Sequence, residues 1–189
     1  MKRTAFRMAI ALLHYPVLNK AGETIGSAVT NLDLHDIGRA AKTYAVGSFW
    51  VVTPLTDQAI LVRRILDHWV RGPGAAYNPQ RRLALETVRV RSSLQEVIRD
   101  IAADCGRAPK LVATSAKMGD ECIGFDRLRK GLDAGHPHLL LLGTAWGLSE
   151  ELLRTADARL APIRGAGQYN HLSVRSAASI ILDRLAREA

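Results

Sequence analysis

The chain lacks the markers of several protein classes. Its two cysteines, Cys105 and Cys122, stand alone among 189 residues with no CxxC spacing and no clustered histidines, which excludes a disulfide framework and argues against a zinc site. No apolar run approaches the roughly 20 residues needed to span a bilayer. Lys2, Arg3 and Arg7 precede the apolar stretch Met8–Leu13 and imitate the start of an export signal. That stretch falls short of an h-region of about 7–15 residues, and His14, Tyr15 and Pro16 end it without a small-residue cleavage pattern. It reads as a buried strand, and the expected location is the cytoplasm. A Walker-type GxxxxGK[ST] is absent. The run from Gly165 to Asn170 lacks the third glycine of a dinucleotide fingerprint, and only one helical pattern follows it, with no further strand to complete a βαβ unit. Both nucleotide-fold readings fail.

What is present is a folded α/β pattern. Composition is 48% hydrophobic and 23% charged, as in a globular protein, and the length suits one domain over residues 1–189. Six apolar runs read as strands: 6–13, 49–53, 87–91, 110–114, 138–142 and 159–163. Runs 49–53 and 138–142 are apolar at nearly every position, as strands covered on both faces must be. Helical periodicity separates them. Leu34, Ile37, Ala41 and Tyr44 follow Asn31 and Asp33, either of which could cap that helix. Leu61, Ile65 and Trp69 mark a second helix; Leu94, Val97 and Ile101 a third; Phe125, Leu128 and Leu132 a fourth. Ser149 caps a fifth, with Glu150 and Glu151 in its first turn, and the last runs from about Leu172 to Ala186. The alternation predicts a mainly parallel six-stranded sheet with helices on both faces. Two connections are too long for simple turns: 15–30 and the arginine-bordered 72–82.

The formal charge is +8 and the sequence pI about 10.0, with arginine supplying most of the excess. Such a field attracts polyanions, nucleic acid above all, and guanidinium suits bidentate phosphate contacts. Arg63, Arg64, Arg71, Arg81, Arg82, Arg89 and Arg91 form the densest basic region, readable as an RNA track or as a solvated face.

In parallel α/β sheets, ligands bind beyond the carboxyl ends of the strands. Three late ends carry small residues that let a ligand approach the backbone: ATSAK at 113–117, GTAWG at 143–147 and RGAGQYNHLS at 164–173. The segments LLLLGTAWGLSEELL and APIRGAGQYNHLSVRSAASIILDRL resemble the C-terminal half of the SPOUT methyltransferase superfamily. NLDLHDIGRAAKTYAVGSFWVVTP, residues 31–54, resembles the first motif of its ribose-methylating branch. The likeness is greatest to a bacterial RNA methyltransferase subgroup in which HYPV, TNLDLHDI and YNHLSVRSA recur.

The resemblance implies a C-terminal trefoil knot over about 110–185 that binds S-adenosylmethionine, and RNA, either tRNA or rRNA, as substrate. It places cofactor contacts on Thr114 and Ser115 in the first loop and on Leu142, Gly143, Thr144 and Gly147 in the second. The third loop adds Ile163, Gly165, Tyr169, Asn170, Leu172, Ser173 and Ser176. Arg39 matches the first-motif arginine and Ser173 the serine of an NxS triplet whose asparagine is His171 here. The first-motif asparagine is Asp33. These two departures leave a ribose hydroxyl and a base nitrogen both open as methyl acceptors.

A guanidinium holds its proton at physiological pH, which makes gripping a phosphate or orienting the acceptor the easier role for Arg39. Asp33, His35 and His171 are the proton-acceptor candidates, with hydrogen-bonded structural roles as the alternative. Trp146 is either a wall of the cofactor pocket or a core residue. No metal is expected. The final helix carries Val174, Ala177, Ala178, Ile181 and Leu185 on faces broader than one small sheet covers, which together with the resemblance predicts a homodimer through this helix. Two other functions fit the same residues: a module that binds S-adenosylmethionine and RNA without catalysis, and a methyltransferase of a protein or small molecule.

Overall fold

The computed structural model describes residues 8–117 and 122–186. The first two positions of the expected opening strand, Phe6 and Arg7, lie outside the described residues. The chain opens with β1 (Met8–Leu13), then a hairpin of β2 (Val17–Leu18) and β3 (Thr24–Ile25). Next come α1 (Asn31–Thr43), β4 (Ser48–Val52) and α2 (Thr56–Val70). Two short helices, α3 (Pro73–Tyr77) and α4 (Pro79–Leu85), lead into β5 (Val88–Arg91) and α5 (Leu94–Cys105). The last part holds β6 (Lys110–Thr114), β7 (Cys122–Ile123), α6 (Phe125–Asp133), β8 (His138–Gly143), α7 (Glu150–Thr155), β9 (Ala158–Leu160) and α8 (Val174–Ala186).

Seven strands form one sheet in the order β5-β4-β1-β8-β6-β9-β7, and every pairing in it is parallel. All six expected strands are in it. A seventh, unexpected strand, β7, adds a two-residue edge beside β9. The sheet centre is apolar on both faces because helices cover both. Ile10, Leu12, Phe49, Val51, Leu140 and Leu142 pack under α1, α2, α6 and α8. Ala11, Leu13, Trp50, Val52, Leu139 and Leu141 face α5 and α7. Each large side chain so buried contributes about 1.5–3 kcal/mol.

Local signals differ from expectation in three places. The cap of α1 is Thr30, one residue before Asn31 and three before Asp33, the predicted candidates: its Oγ1 accepts from Asp33 N and donates to the Asp33 carboxylate. Segment 72–82 is helical rather than a loop, because Pro73 and Pro79 each occupy the first position of a short helix, where proline's fixed φ is favourable. Much of the apolar face of α8 is used within the chain: Ala178, Ile181, Leu182 and Leu185 are buried where the helix packs on α1 and α6, while Val174 and Ala177 stay partly exposed. Most of the face that suggested a partner is therefore covered by the chain itself. Ser149 caps α7 as expected, accepting from Leu152 N.

Candidate functional site

The carboxyl tips of β1, β8, β6 and β9 end at one level. Leu13 is in register with Gly143, Ala113 with Leu141, and Thr114 with Leu160. Above these tips lies a cavity of about 730 Å³. Its walls come from the loop after β6, the loop after β8, the segment between β9 and α8, and the loop that leads from β3 into α1.

Hydrogen bonds fix the loops to one another. Thr114 Oγ1 donates to the Leu141 carbonyl, and Asn170 Nδ2 donates to the Ala116 carbonyl, joining the first and third loops. Thr144 donates from Oγ1 to the Leu13 carbonyl and shares a hydroxyl–hydroxyl hydrogen bond with Ser27. The middle loop is also laced to β2: Trp146 N donates to Leu18 O, and Leu18 N donates to Gly147 O. Gly143 is required by close approach, since a Cβ there would stand 2.6 Å from Leu148 N. Gly147 adopts φ +103, a conformation that L side chains rarely take.

Of the residues matched to cofactor contacts, Thr114, Ser115, Leu142, Gly143, Thr144, Gly147, Ile163, Asn170, Leu172 and Ser173 line this cavity. Gly165, Tyr169 and Ser176 are not among its lining residues. Tyr169 is 80% exposed, with its ring edge-on to His171. Ser176 lies in the first turn of α8, and its N–H donates to Ser173 Oγ, so Ser173 caps that helix. Ser176 and Ser173 also line a second concavity of about 520 Å³ with Arg39, Arg175 and Asp36.

The five proton-transfer and orienting candidates separate. Asp33, His171 and Ser173 face the main cavity. Arg39 lines only the second concavity, and His35 lines neither. The ring of His35 meets Trp69 edge-on at 5.4 Å, and burial followed by the charge of Arg81 holds it below its ordinary pKa. Asp33 is buried and bridged to Arg175 at 3.5 Å, while Arg175 also reaches Asp36 at 3.4 Å. Trp146 is 64% exposed on the cavity lip, so it belongs to the wall and not to the core.

Several lining residues were not singled out in the sequence. Leu18, Ser27, Ala28 and Thr30 come from segment 15–30, whose unusual length was the available signal. Glu150 adds a carboxylate and Lys117 an ammonium. His14, fully buried beneath Ser27, shares a 3.0 Å hydrogen bond between Nδ1 and Ser27 Oγ. Burial drives its pKa down to about 4, with the nearby Asp33 opposing. Among the described residues no group of three His, Cys, Asp or Glu could hold a metal ion, and no helix is long and apolar enough to cross a membrane.

The cavity is within the range of small-molecule sites, about 300–1,000 Å³, and it pairs apolar walls with a few hydroxyls and amides. A cavity over the central carboxyl tips of a parallel sheet lies where α/β proteins bind their ligands. Residues 7–187 match a family model described as SAM-dependent RNA methyltransferase, and the chain belongs to that family. The whole chain aligns at 44% identity with a tRNA (guanine-N(1)-)-methyltransferase of Oleidesulfovibrio alaskensis, covering 44% of that protein. A protein of the same name from Nitratidesulfovibrio vulgaris is 45% identical over 93% of this chain and 41% of its own length. The chain thus spans less than half of either relative. An Aquifex aeolicus protein is 41% identical over 93% of this chain and 86% of itself.

Solved structures show the same SPOUT fold. The SpoU methyltransferase AviRb from Streptomyces viridochromogenes, in complex with AdoMet, superposes with TM-score 0.59 at 21% identity, over 94% of this chain and 56% of that one. The TrmH/SpoU tRNA modifying enzyme of A. aeolicus gives 0.56 at 16% identity, over 96% and 74%.

Proposed function

We propose that this protein transfers a methyl group from S-adenosylmethionine to RNA, tRNA or rRNA, in the cytoplasm, and that the cavity over β1, β8, β6 and β9 is where the cofactor binds. The observation that carries the reading is that ten of the thirteen residues matched to cofactor contacts converge on one cavity although they come from three separate loops. The threaded tail implied by the resemblance belongs to the same reading.

Bound cofactor would supply a methyl group already activated on a sulfonium. Leu142, Leu160, Ile163 and Leu172 offer apolar walls for its adenine, while Thr114, Ser115, Thr144 and Asn170 offer polar contacts. The protein's main task is then to hold the acceptor in line, which can account for about 7–11 kcal/mol of barrier. A positioned base adds about 10²–10⁴-fold. His171 is that base in this reading, because it is exposed on the cavity wall and a neutral imidazole accepts a proton. Asp33 is a positioning residue instead: one carboxylate oxygen takes the Thr30 hydroxyl and the other faces Arg175. The relatives' name supports tRNA as substrate class, but it describes chains more than twice as long and does not choose between ribose hydroxyl and base nitrogen.

Incubation with labelled S-adenosylmethionine and total cellular RNA tests the reading. Label in RNase-sensitive material is expected. Binding without transfer would instead indicate a non-catalytic module, and RNase-resistant label would indicate a protein or small-molecule acceptor. A homodimer is part of the proposal, supported by the exposed Tyr169 beside the cavity and by the partly exposed Val174 and Ala177 of α8. Light scattering at only 20.6 kDa would remove it.

A further inference from the structure

We propose that the outer face of α1 and α4 is a track for the RNA backbone, with Arg39 taking a phosphodiester near the transfer centre and Arg81, stacked on Trp69, taking one further along the strand. The inference rests on the function proposed above and adds the surface that holds the substrate.

Ion pairing divides the basic region in two. Arg71, Arg82, Arg89 and Arg91 are neutralised by Asp67, Glu86, Asp104 and Asp100. Arg63, Arg64 and Arg81 of that region, and Arg39 outside it, form no ion pair with a described residue. Arg81 is nonetheless held in place: its guanidinium lies 4.4 Å from the Trp69 ring centroid, and its backbone N–H is capped by Asn78 Oδ1 at 2.9 Å. A planar, fixed and uncompensated guanidinium is a preorganised phosphate donor, because little side-chain freedom is lost when the anion arrives.

Trp69 also meets two imidazole rings in T-shaped contact, His35 at 5.4 Å and His68 at 5.0 Å. His35 sits one helical turn before Arg39 on α1 and packs against Trp69, the ring on which Arg81 lies, so Arg39 and Arg81 share one face. That face is continuous with the main cavity. Arg39 lines the second concavity together with Ser173, and Ser173 also lines the first. A strand whose acceptor nucleotide entered the cavity at Ser173 would pass Arg39 and then Arg81. An acidic protein surface would meet the same charges, but it would have no need of a route to the transfer centre.

The test uses the full chain, unfractionated tRNA as probe, and salt titrations from roughly 50 to 200 mM, where each lost phosphate contact lowers the slope of log affinity on log salt by about 0.7–0.9. Arg81→Ala is expected to weaken tRNA binding about tenfold at low salt and to reduce that slope by about one contact. Arg81→Lys keeps the charge and should retain the slope while losing part of the affinity. Arg71→Ala removes an equal charge from an ion pair and should change neither. Cofactor affinity by calorimetry should be the same in all three and reports that each is folded. An unchanged slope in Arg81→Ala, or an equal loss in Arg71→Ala, overturns the track while leaving the methyltransferase reading intact. Wild-type protein that takes up S-adenosylmethionine but neither binds nor methylates RNA overturns both.

Discussion

Replacing Gly143 with alanine is the sharpest probe of the cavity. The backbone there is compatible with any residue, so conformational strain contributes nothing; the whole effect is steric. The added Cβ would meet Leu148 N at 2.6 Å, Gly147 C at 2.8 Å and Leu148 Cδ2 at 3.0 Å. Two of those atoms are main chain, so the loop after β8 must open by roughly 0.8 Å to restore ordinary contact at 3.4 Å. It is not free to do so, because Trp146 N, Gly147 O and the Val17–Leu148 bridge tie it to β2. Overpacking of this kind costs about 1–3 kcal/mol. For a chain of this length each kcal/mol lowers Tm by about 2–4 °C. Displacement of a binding loop by nearly an ångström can cost on the order of 100-fold in a positioned reaction. We therefore expect Gly143→Ala to lower Tm by several degrees and to weaken S-adenosylmethionine binding at least tenfold by calorimetry. Wild-type affinity in a variant with the lowered Tm would show that the cofactor does not touch this loop.

Other outcomes follow from the same geometry. His14 has a folded pKa near 4 against an ordinary 6.5, so the unfolded chain binds more protons between those values and stability falls as pH drops from 6.5 toward 4, by up to about 3 kcal/mol. Urea denaturation at pH 7 and pH 5 checks this, and His14→Gln should flatten the dependence. Arg175→Ala leaves the buried Asp33 without its cation and should cost about 1–3 kcal/mol in the same assay; an unchanged midpoint would mean the pair holds nothing together. Trp146→Ala removes an exposed ring and should leave Tm unchanged while weakening cofactor or RNA binding. His171→Ala should cut methyl transfer by about 10²–10⁴ at unchanged cofactor affinity if it is the base.

The sheet was legible because its strands are covered on both faces and so appear as uninterrupted apolar runs, as in 138–142. What escaped was short or distant. β7 has two residues, too few to show any period, and α3 and α4 each fall below the window in which helical spacing can be counted. Their prolines looked like turn formers because the same residue begins a helix and breaks one. Thr30, Asn31 and Asp33 are all good capping types, and only the backbone says that Thr30 comes first. The loops after β6 and β8 and the segment after β9 declared themselves by composition. The wall built from Ser27 to Thr30 showed only as an unusually long connection, because nothing local records that segment 15–30 folds back across the tip of β8. Arg175 was hidden for the same reason: its partners Asp33 and Asp36 lie far away in sequence.

That distance explains how the cavity keeps its shape. Strand tips supply a rigid floor, but a ligand site also needs lips, and loops alone would be mobile. Here each lip is tied to a different part of the chain: Asn170 to Ala116, Thr144 to Leu13 and Ser27, Trp146 to Leu18, and Arg175 to Asp33. The N-terminal third therefore serves as a brace for the C-terminal third, and His14, buried under Ser27, anchors that brace to the sheet. A group that works by positioning rather than by bond-making chemistry of its own gains most from such rigidity, because misplacement is the chief way its contribution is lost. The cross-bracing of the lips, more than any single reactive side chain, is thus the feature of this structure best matched to the proposed methyl transfer.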